Sequence, residues 1–226
     1  MIAKPIATIS QILPKIPFWA NLSPEEKAIV SQRALTKHFN KDQIASSNSS
    51  ACLGIILILK GGVRISLISD EGREITLYRA HAGEFCVSTA SCVIHQLTFE
   101  ANVSAEEDTT VLVIPSSVTA RLMEKNIYVR SFVFEQETER YSQTIWAIQQ
   151  MLFKKFDQRL AAYFIDAYQS TGKPEIKKTQ EEIARDVNSA REVVARMLKD
   201  FAAKGFVEIR RGKIVLKNAE GLKKLV

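Results

Sequence analysis

The feature that most constrains this chain is a change of hydrophobic period at Pro115. Before it, apolar residues come in short β-branched runs separated by turn residues. Residues 55–59 and 63–68 flank Lys60-Gly61-Gly62, and Ser69-Asp70-Glu71-Gly72 leads into 74–78. Residues 98–105 and 109–114 make a further pair around Glu106-Glu107-Asp108. Short strands at this spacing predict an antiparallel barrel or sandwich. Beyond Pro115 the apolar positions recur every three or four residues, which is the helical period. The fold class is therefore α+β, with an antiparallel barrel or sandwich followed by helices. A helix ahead of the strands is marked by Ser23-Pro24-Glu25-Glu26, in which Ser23 caps, Pro24 suits the first helical position and Glu26 completes a capping box. It is expected to run to about residue 36.

Within the helical part, Phe134, Thr138, Tyr141, Ile145, Ile148 and Leu152 form an a/d seam spaced 4, 3, 4, 3 and 4, with Thr138 its one weak position. Such a helix either packs on its own barrel or pairs with a second copy as a coiled coil. The basic module that follows favours the homodimer. Phe132, Phe134, Tyr141 and Trp146 also offer material for a small-molecule pocket, though core and dimer packing account for them.

The formal net charge of +6 is unevenly placed. Residues 1–152 hold 14 Lys/Arg against 15 Asp/Glu, whereas 153–226 hold 17 against 10. All the excess positive charge thus lies in the last third, which points to nucleic acid or another anionic surface. The predicted division is 1–125 for the strand-rich part, 126–152 for the long helix and 153–226 for the basic module. No stretch is long and apolar enough to cross a bilayer, and Pro5, Pro14 and Pro17 interrupt the apolar N-terminus. Three cysteines do not form a disulfide framework. A cytoplasmic protein without membrane contact is expected.

The basic module opens with a helix at 155–168 that stops before Gly172-Lys173-Pro174. Thr179 and Glu182 then form a capping box, Ile183, Ala184 and Val187 make an apolar face, and Asn188 occupies a sharp turn. A second helix over 189–204 turns Val193, Val194, Met197, Leu198 and Phe201 inward. This is a helix-turn-helix, and Arg211-Gly212 between two short strands adds a basic wing. Arg191 and Arg196 match guanine O6 and N7 in the major groove, and Glu192 can accept from a cytosine amino group. Lys177, Lys178, Thr179, Ser189, Arg210, Arg211 and Lys213 are the expected phosphate contacts. A dimer would read an inverted-repeat operator in double-stranded DNA.

The 56–85 stretch, ILILKGGVRISLISDEGREITLYRAHAGEF, the long helix, RLAAYF at 159–164 and TQEEIARDVNSAREVVARMLK together resemble the Crp/Fnr transcription regulators. The resemblance spans about 18–216 and implies a cyclic-nucleotide-binding-like β-roll of antiparallel jelly-roll type, a dimer helix, a winged helix-turn-helix and contact with RNA polymerase. The family's S-R-E-T-V-x-R pattern is met by A-R-E-V-V-A-R at Arg191, Glu192, Val194 and Arg196, which by resemblance makes Arg191, Glu192 and Arg196 the base readers. Ala190 stands where the family has serine, leaving Ser189 as the substitute phosphate contact.

Members that bind cyclic AMP place an Arg-Ser pair after Gly-Glu-Leu to neutralise the phosphate. Here no arginine occurs between Arg79 and Arg121 after Gly83-Glu84-Phe85, which argues against cyclic AMP. An N-terminal iron–sulfur cluster is disfavoured because no cysteine precedes Cys52. By resemblance, haem could be ligated by His81 or His95, although both also read as ordinary histidines. Cys86 and Cys92 remain as a possible sensor: either two buried hydrophobes or a thiol pair. His38, His81 and His95 share no metal-ligand spacing, so no metal is expected. No C-x-x-C, catalytic triad order or phosphate loop occurs, so the chain is not expected to be an enzyme. The alternative is a ligand- or redox-sensing module acting on a protein partner.

Overall fold

The computed structural model describes residues 8–46, 53–69, 74–87 and 101–226. They fall into two compact units, one within 1–73 and 77–144, the other within 74–76 and 145–226.

The first unit begins with α1 (Ile9–Ile12), two short 3-10 turns and α2 (Pro24–Arg33). Ser23 Oγ accepts the Glu26 amide at 3.2 Å, and the Glu26 carboxylate accepts the Ser23 amide at 2.7 Å. The helix ends at Arg33, short of the expected residue 36, because the next residues are claimed by a sheet. Strand β1 (Leu35–Phe39) pairs antiparallel with β8 (Thr109–Pro115), from Leu35 opposite Val113 to Phe39 opposite Thr109. The remaining strands are β2 (Ile44–Ser46), β3 (Gly54–Lys60), β4 (Gly62–Ile68), β5 (Glu74–His81), β6 (Phe85–Cys86) and β7 (Asn102–Ala105). They form two sheets, ordered β1-β8-β3-β6 and β2-β7-β4-β5. The expected strand over 98–105 begins, among the described residues, at Asn102.

The unbroken apolar runs of β3 and β8 have a physical cause: both faces are covered. Side chains alternate along a strand. Ile56, Ile58, Val111 and Val113 therefore join a core with Val63, Ile65 and Val103. Ile55, Leu112 and Ile114 join a second core with Phe18, Leu122, Val129, Phe132 and Val133. Gly54 starts β3 at φ +98°, and a Cβ there would stand 2.1 Å from the Ile114 carbonyl oxygen, so the close approach of β3 to β8 requires glycine.

The long helical stretch is divided into α3 (Ser116–Lys125) and α4 (Ile127–Phe153) by Asn126. Its Oδ1 accepts the Tyr128 amide at 3.0 Å, while its Nδ2 donates to the Asn21 carbonyl and to Glu26.

The second unit continues with α5 (Phe156–Thr171), which stops at left-handed Gly172 with φ 64°. Strand β9 (Glu175–Ile176), α6 (Gln180–Asp186), α7 (Arg191–Ala203), β10 (Val207–Arg210), β11 (Lys213–Leu216) and α8 (Ala219–Lys223) follow. The three strands form one sheet ordered β10-β11-β9. Leu160, Phe164, Ile183, Val194, Leu198, Phe201 and Ile214 build its core. The hairpin forms around Arg211-Gly212 as expected; two-residue β9 carries too little pattern to announce itself.

Candidate nucleic-acid interface and sensor region

Helix α6 starts as its capping box predicts. Thr179 Oγ1 accepts the Glu182 amide at 3.2 Å, and Glu182 Oε2 accepts the Thr179 amide at 2.8 Å. The turn then passes through Asn188 at φ 49°, a left-handed backbone that asparagine tolerates better than most residues. Ala184 is buried, and its carbonyl accepts the Ser189 amide at 2.9 Å, which tightens the turn. Arg159 of α5 supports the same turn by donating from Nη1 to the Val187 carbonyl at 3.2 Å. Burial lowers the Arg159 pKa, and its charge faces the Phe156 ring at 5.5 Å.

Helix α7 begins at Arg191, two residues later than expected, with Ala190 as an N-cap that makes no side-chain bond. Its inner face is Val194, Leu198 and Phe201, all fully buried. Arg191, Glu192 and Arg196 are exposed on the other side, as the sequence predicts, with Lys199 beside them. None of those three base-reading candidates forms an ion pair among the described residues. The helix thus presents two guanidinium groups and one carboxylate to solvent from a rigid scaffold.

The expected phosphate-contacting residues divide into two groups. Lys177 and Arg211 are exposed, and Ser189 is half-buried. The others already have intramolecular carboxylate partners. Lys178 Nζ lies 2.6 Å from Asp186 Oδ2. Lys213 Nζ lies 2.8 Å from Glu175 Oε1, and Arg210 donates to both oxygens of Glu208 at 2.6 and 3.2 Å. Thr179 is occupied by its capping box. Arg210, followed by Lys217, holds the Glu208 carboxyl down at about 2, and Lys213 likewise lowers Glu175. Sequence spacing does not reveal these acidic partners, because only the sheet pairing brings Glu175 to Lys213.

Helix α4 has two faces. Phe132 packs edge-on against Phe18 and Phe85 at ring separations of 5.1 and 5.0 Å, which makes it a core residue rather than a pocket lining. Arg140 is 5% exposed and reaches into the β-roll. It donates to the Phe85 carbonyl at 3.2 Å and to Gln143 at 3.0 Å, and stands 3.7 Å from Glu84. Its guanidinium covers the Tyr78 ring at 5.1 Å, while its buried Nε has no hydrogen-bond partner among the described residues. The Tyr78 hydroxyl is in turn 4.0 Å from Cys86 Sγ. Sequence reasoning misses this buried cation, since a polar position on a helix gives no sign of pointing inward. Cys86 is fully buried, whereas Cys92 and His95 lie outside the described residues. His38 Nδ1 is 3.3 Å from the Thr110 hydroxyl. No group of three or more His, Cys, Asp or Glu residues suited to a metal ion occurs among the described residues.

On its opposite face α4 carries the a/d seam. Phe134 is 42% exposed, Tyr141 67%, Ile145 36%, Ile148 37% and Leu152 71%.

Comparison with known proteins gives a consistent result. Residues 158–225 match the model of the Crp-like helix-turn-helix domain, and 36–126 match that of the cyclic nucleotide-binding domain. A solved structure from Eubacterium rectale, described as a transcriptional regulator of the Crp/Fnr family, is 34% identical with a TM-score of 0.88, covering 94% of this chain and 98% of its own. The transcriptional regulator SdrP of Thermus thermophilus is 24% identical over 74% of this chain and 81% of its own length. The cAMP-activated global transcriptional regulator Vfr of Pseudomonas aeruginosa is 25% identical over 70% of this chain and 78% of its own.

Proposed function

The chain belongs to the Crp/Fnr family of transcription regulators, and from that premise we propose that it is a homodimeric, sequence-specific DNA-binding protein gated through its β-roll. The observation that carries this reading is the second unit's helix-turn-helix. It combines a left-handed Asn188 turn with a recognition helix whose Arg191, Glu192 and Arg196 are exposed and form no ion pair among the described residues. Arg191 and Arg196 read guanine edges, Glu192 reads a cytosine amino group, and Lys177, Ser189 and Arg211 contact phosphates. Lys178, Thr179, Arg210 and Lys213 meet phosphate in competition with an internal partner. The domains follow the division 1–125, 126–152 and 153–226.

The exposed seam from Phe134 to Leu152 supports pairing of α4 with a second copy, and two recognition helices then require an inverted-repeat operator. A buried Arg140 linking α4 to Glu84 and Phe85 of the β-roll supports effector gating, since a ligand that alters this contact would bias two states of the dimer. The lack of an arginine between Arg79 and Arg121 argues against cyclic AMP as that effector. The regulator acts on RNA polymerase in the cytoplasm and catalyses no reaction. The test is selection of duplexes from a random library followed by footprinting. An enriched inverted repeat protected on both halves is the expected result. Salt-sensitive binding without any enriched sequence would overturn the specific reading.

A further inference from the structure

The outer face of the wing sheet carries charges of both signs in register. Glu208 of β10 pairs opposite Val215 of β11, which pairs opposite Glu175 of β9, so these three side chains share one face. Arg210 and Lys213, an opposed pair two residues along, lie on that face too. Glu208 binds Arg210 through both carboxylate oxygens and also accepts Lys217 Nζ at 2.7 Å. Glu175 holds Lys213 at 2.8 Å. Two carboxylates thus occupy three cations in the part of the molecule where phosphates would be met. The arrangement is not a buried structural cluster, because Arg210 and Lys217 side chains are 46% and 49% exposed and remain within reach of solvent or DNA. The recognition helix is different: Arg191 and Arg196 have no such competitor among the described residues.

We infer that Glu208 and Glu175 compete with phosphate for Arg210, Lys213 and Lys217, and so suppress affinity for DNA of arbitrary sequence. The inference rests on the DNA-binding reading above. Its physical basis is that phosphate attraction is independent of sequence, whereas base-edge contacts are not. An internal carboxylate competes with every phosphate alike, which weakens binding everywhere. Only at an operator do Arg191, Glu192 and Arg196 compensate. The wing's contribution falls by the same factor on every duplex, so the ratio between operator and random DNA is unchanged while occupancy of random DNA drops.

The experiment measures binding of a short duplex of arbitrary sequence by fluorescence anisotropy across a salt series, with the full chain and with Glu208→Gln, Glu175→Gln and Glu220→Gln. Glu220 pairs with Lys223 on α8, outside the wing sheet, and loses the same single charge. Glu208→Gln is expected to tighten binding roughly three- to tenfold at about 0.1 M salt and to steepen the slope of log K against log salt by about 0.9 for each additional phosphate neutralised. Glu175→Gln should do the same through Lys213, and Glu220→Gln should leave the slope unchanged. Circular dichroism of each variant confirms folding. Equal tightening by all three variants would show a general charge effect and overturn the inference, as would an unchanged slope in both wing variants. Failure of the unsubstituted protein to bind any duplex would instead overturn the DNA-binding reading.

Discussion

Replacing Ile145 and Ile148 together by lysine separates a helix that pairs with a second copy from one that merely lies on the surface. Both positions face away from the core with 36% and 37% of their surface still exposed. Fully burying an isoleucine is worth roughly 1.5–3 kcal/mol, so about a third of that, roughly 0.5–1 kcal/mol, remains to be realised at each position on pairing. A two-fold interface repeats every contact. Four such side chains therefore contribute roughly 2–4 kcal/mol, or about 30- to 700-fold in dimer dissociation constant. The lysines add to this loss, because opposed ammonium groups at a and d positions repel and each must leave water. The folded protomer should be little affected, since neither residue belongs to a core cluster and both tolerate solvent already. Sedimentation equilibrium over a concentration series reads the change directly. The expected result is a dimer for the unsubstituted chain and a monomer for the variant at the same concentration, with unchanged circular dichroism. A variant that sediments like the unsubstituted protein would refute the assignment of this seam to a dimer interface.

Three further expectations concern single sites. Arg196→Ala should cost about 1–3 kcal/mol of operator affinity and relax the preference at one base pair in a binding-site scan; uniform weakening over all sequences would make it a phosphate contact instead. Leu198→Ala removes a fully buried side chain from the second unit's core and should lower stability by roughly 2–5 kcal/mol, measured as a shifted denaturant midpoint. A smaller loss would mean that the site collapses around the cavity. The Glu208 carboxyl, lowered from 4.5 to about 2 by Arg210 and Lys217, should show a correspondingly low midpoint in an NMR titration, and Arg210→Gln should raise it. Because the folded value is depressed, the stabilisation from these pairs is present above about pH 4.5 and is lost as pH falls toward 2. A midpoint at the ordinary value would remove the wing's ion pairing.

Much of the candidate interface is legible in the sequence because helix signals are local. Ser23 with Glu26 and Thr179 with Glu182 lie three residues apart, and such caps form wherever the helix forms. Asn188 needs only its own backbone preference to mark the turn, and the inward positions of α7 follow from spacing. The start of α7 lies two residues beyond its expected place because Ala190, lacking a side-chain acceptor, gives no capping signal. The start of β1 falls where a helix is expected because residues 34–36 continue the preceding pattern, and nothing nearby announces β8 as their partner.

The sequence by itself determined the order of β-roll, long helix and basic helix-turn-helix, because hydrophobic period, capping residues and charge are properties of short stretches. It also placed Arg191, Glu192 and Arg196 on the outer face of α7, since a helix of known register has known faces. Only the tertiary structure decided which strands share a sheet, that Arg140 is buried against Tyr78 and Phe85, and that Glu175 and Glu208 hold the wing's cations. The Arg140 contacts and the Glu175–Lys213 pair join residues far apart along the chain, and even the nearby Glu208 and Arg210 meet only once β10 forms. The energies that fix them depend on desolvation and on distances of a few ångströms, and those exist only after the elements have packed.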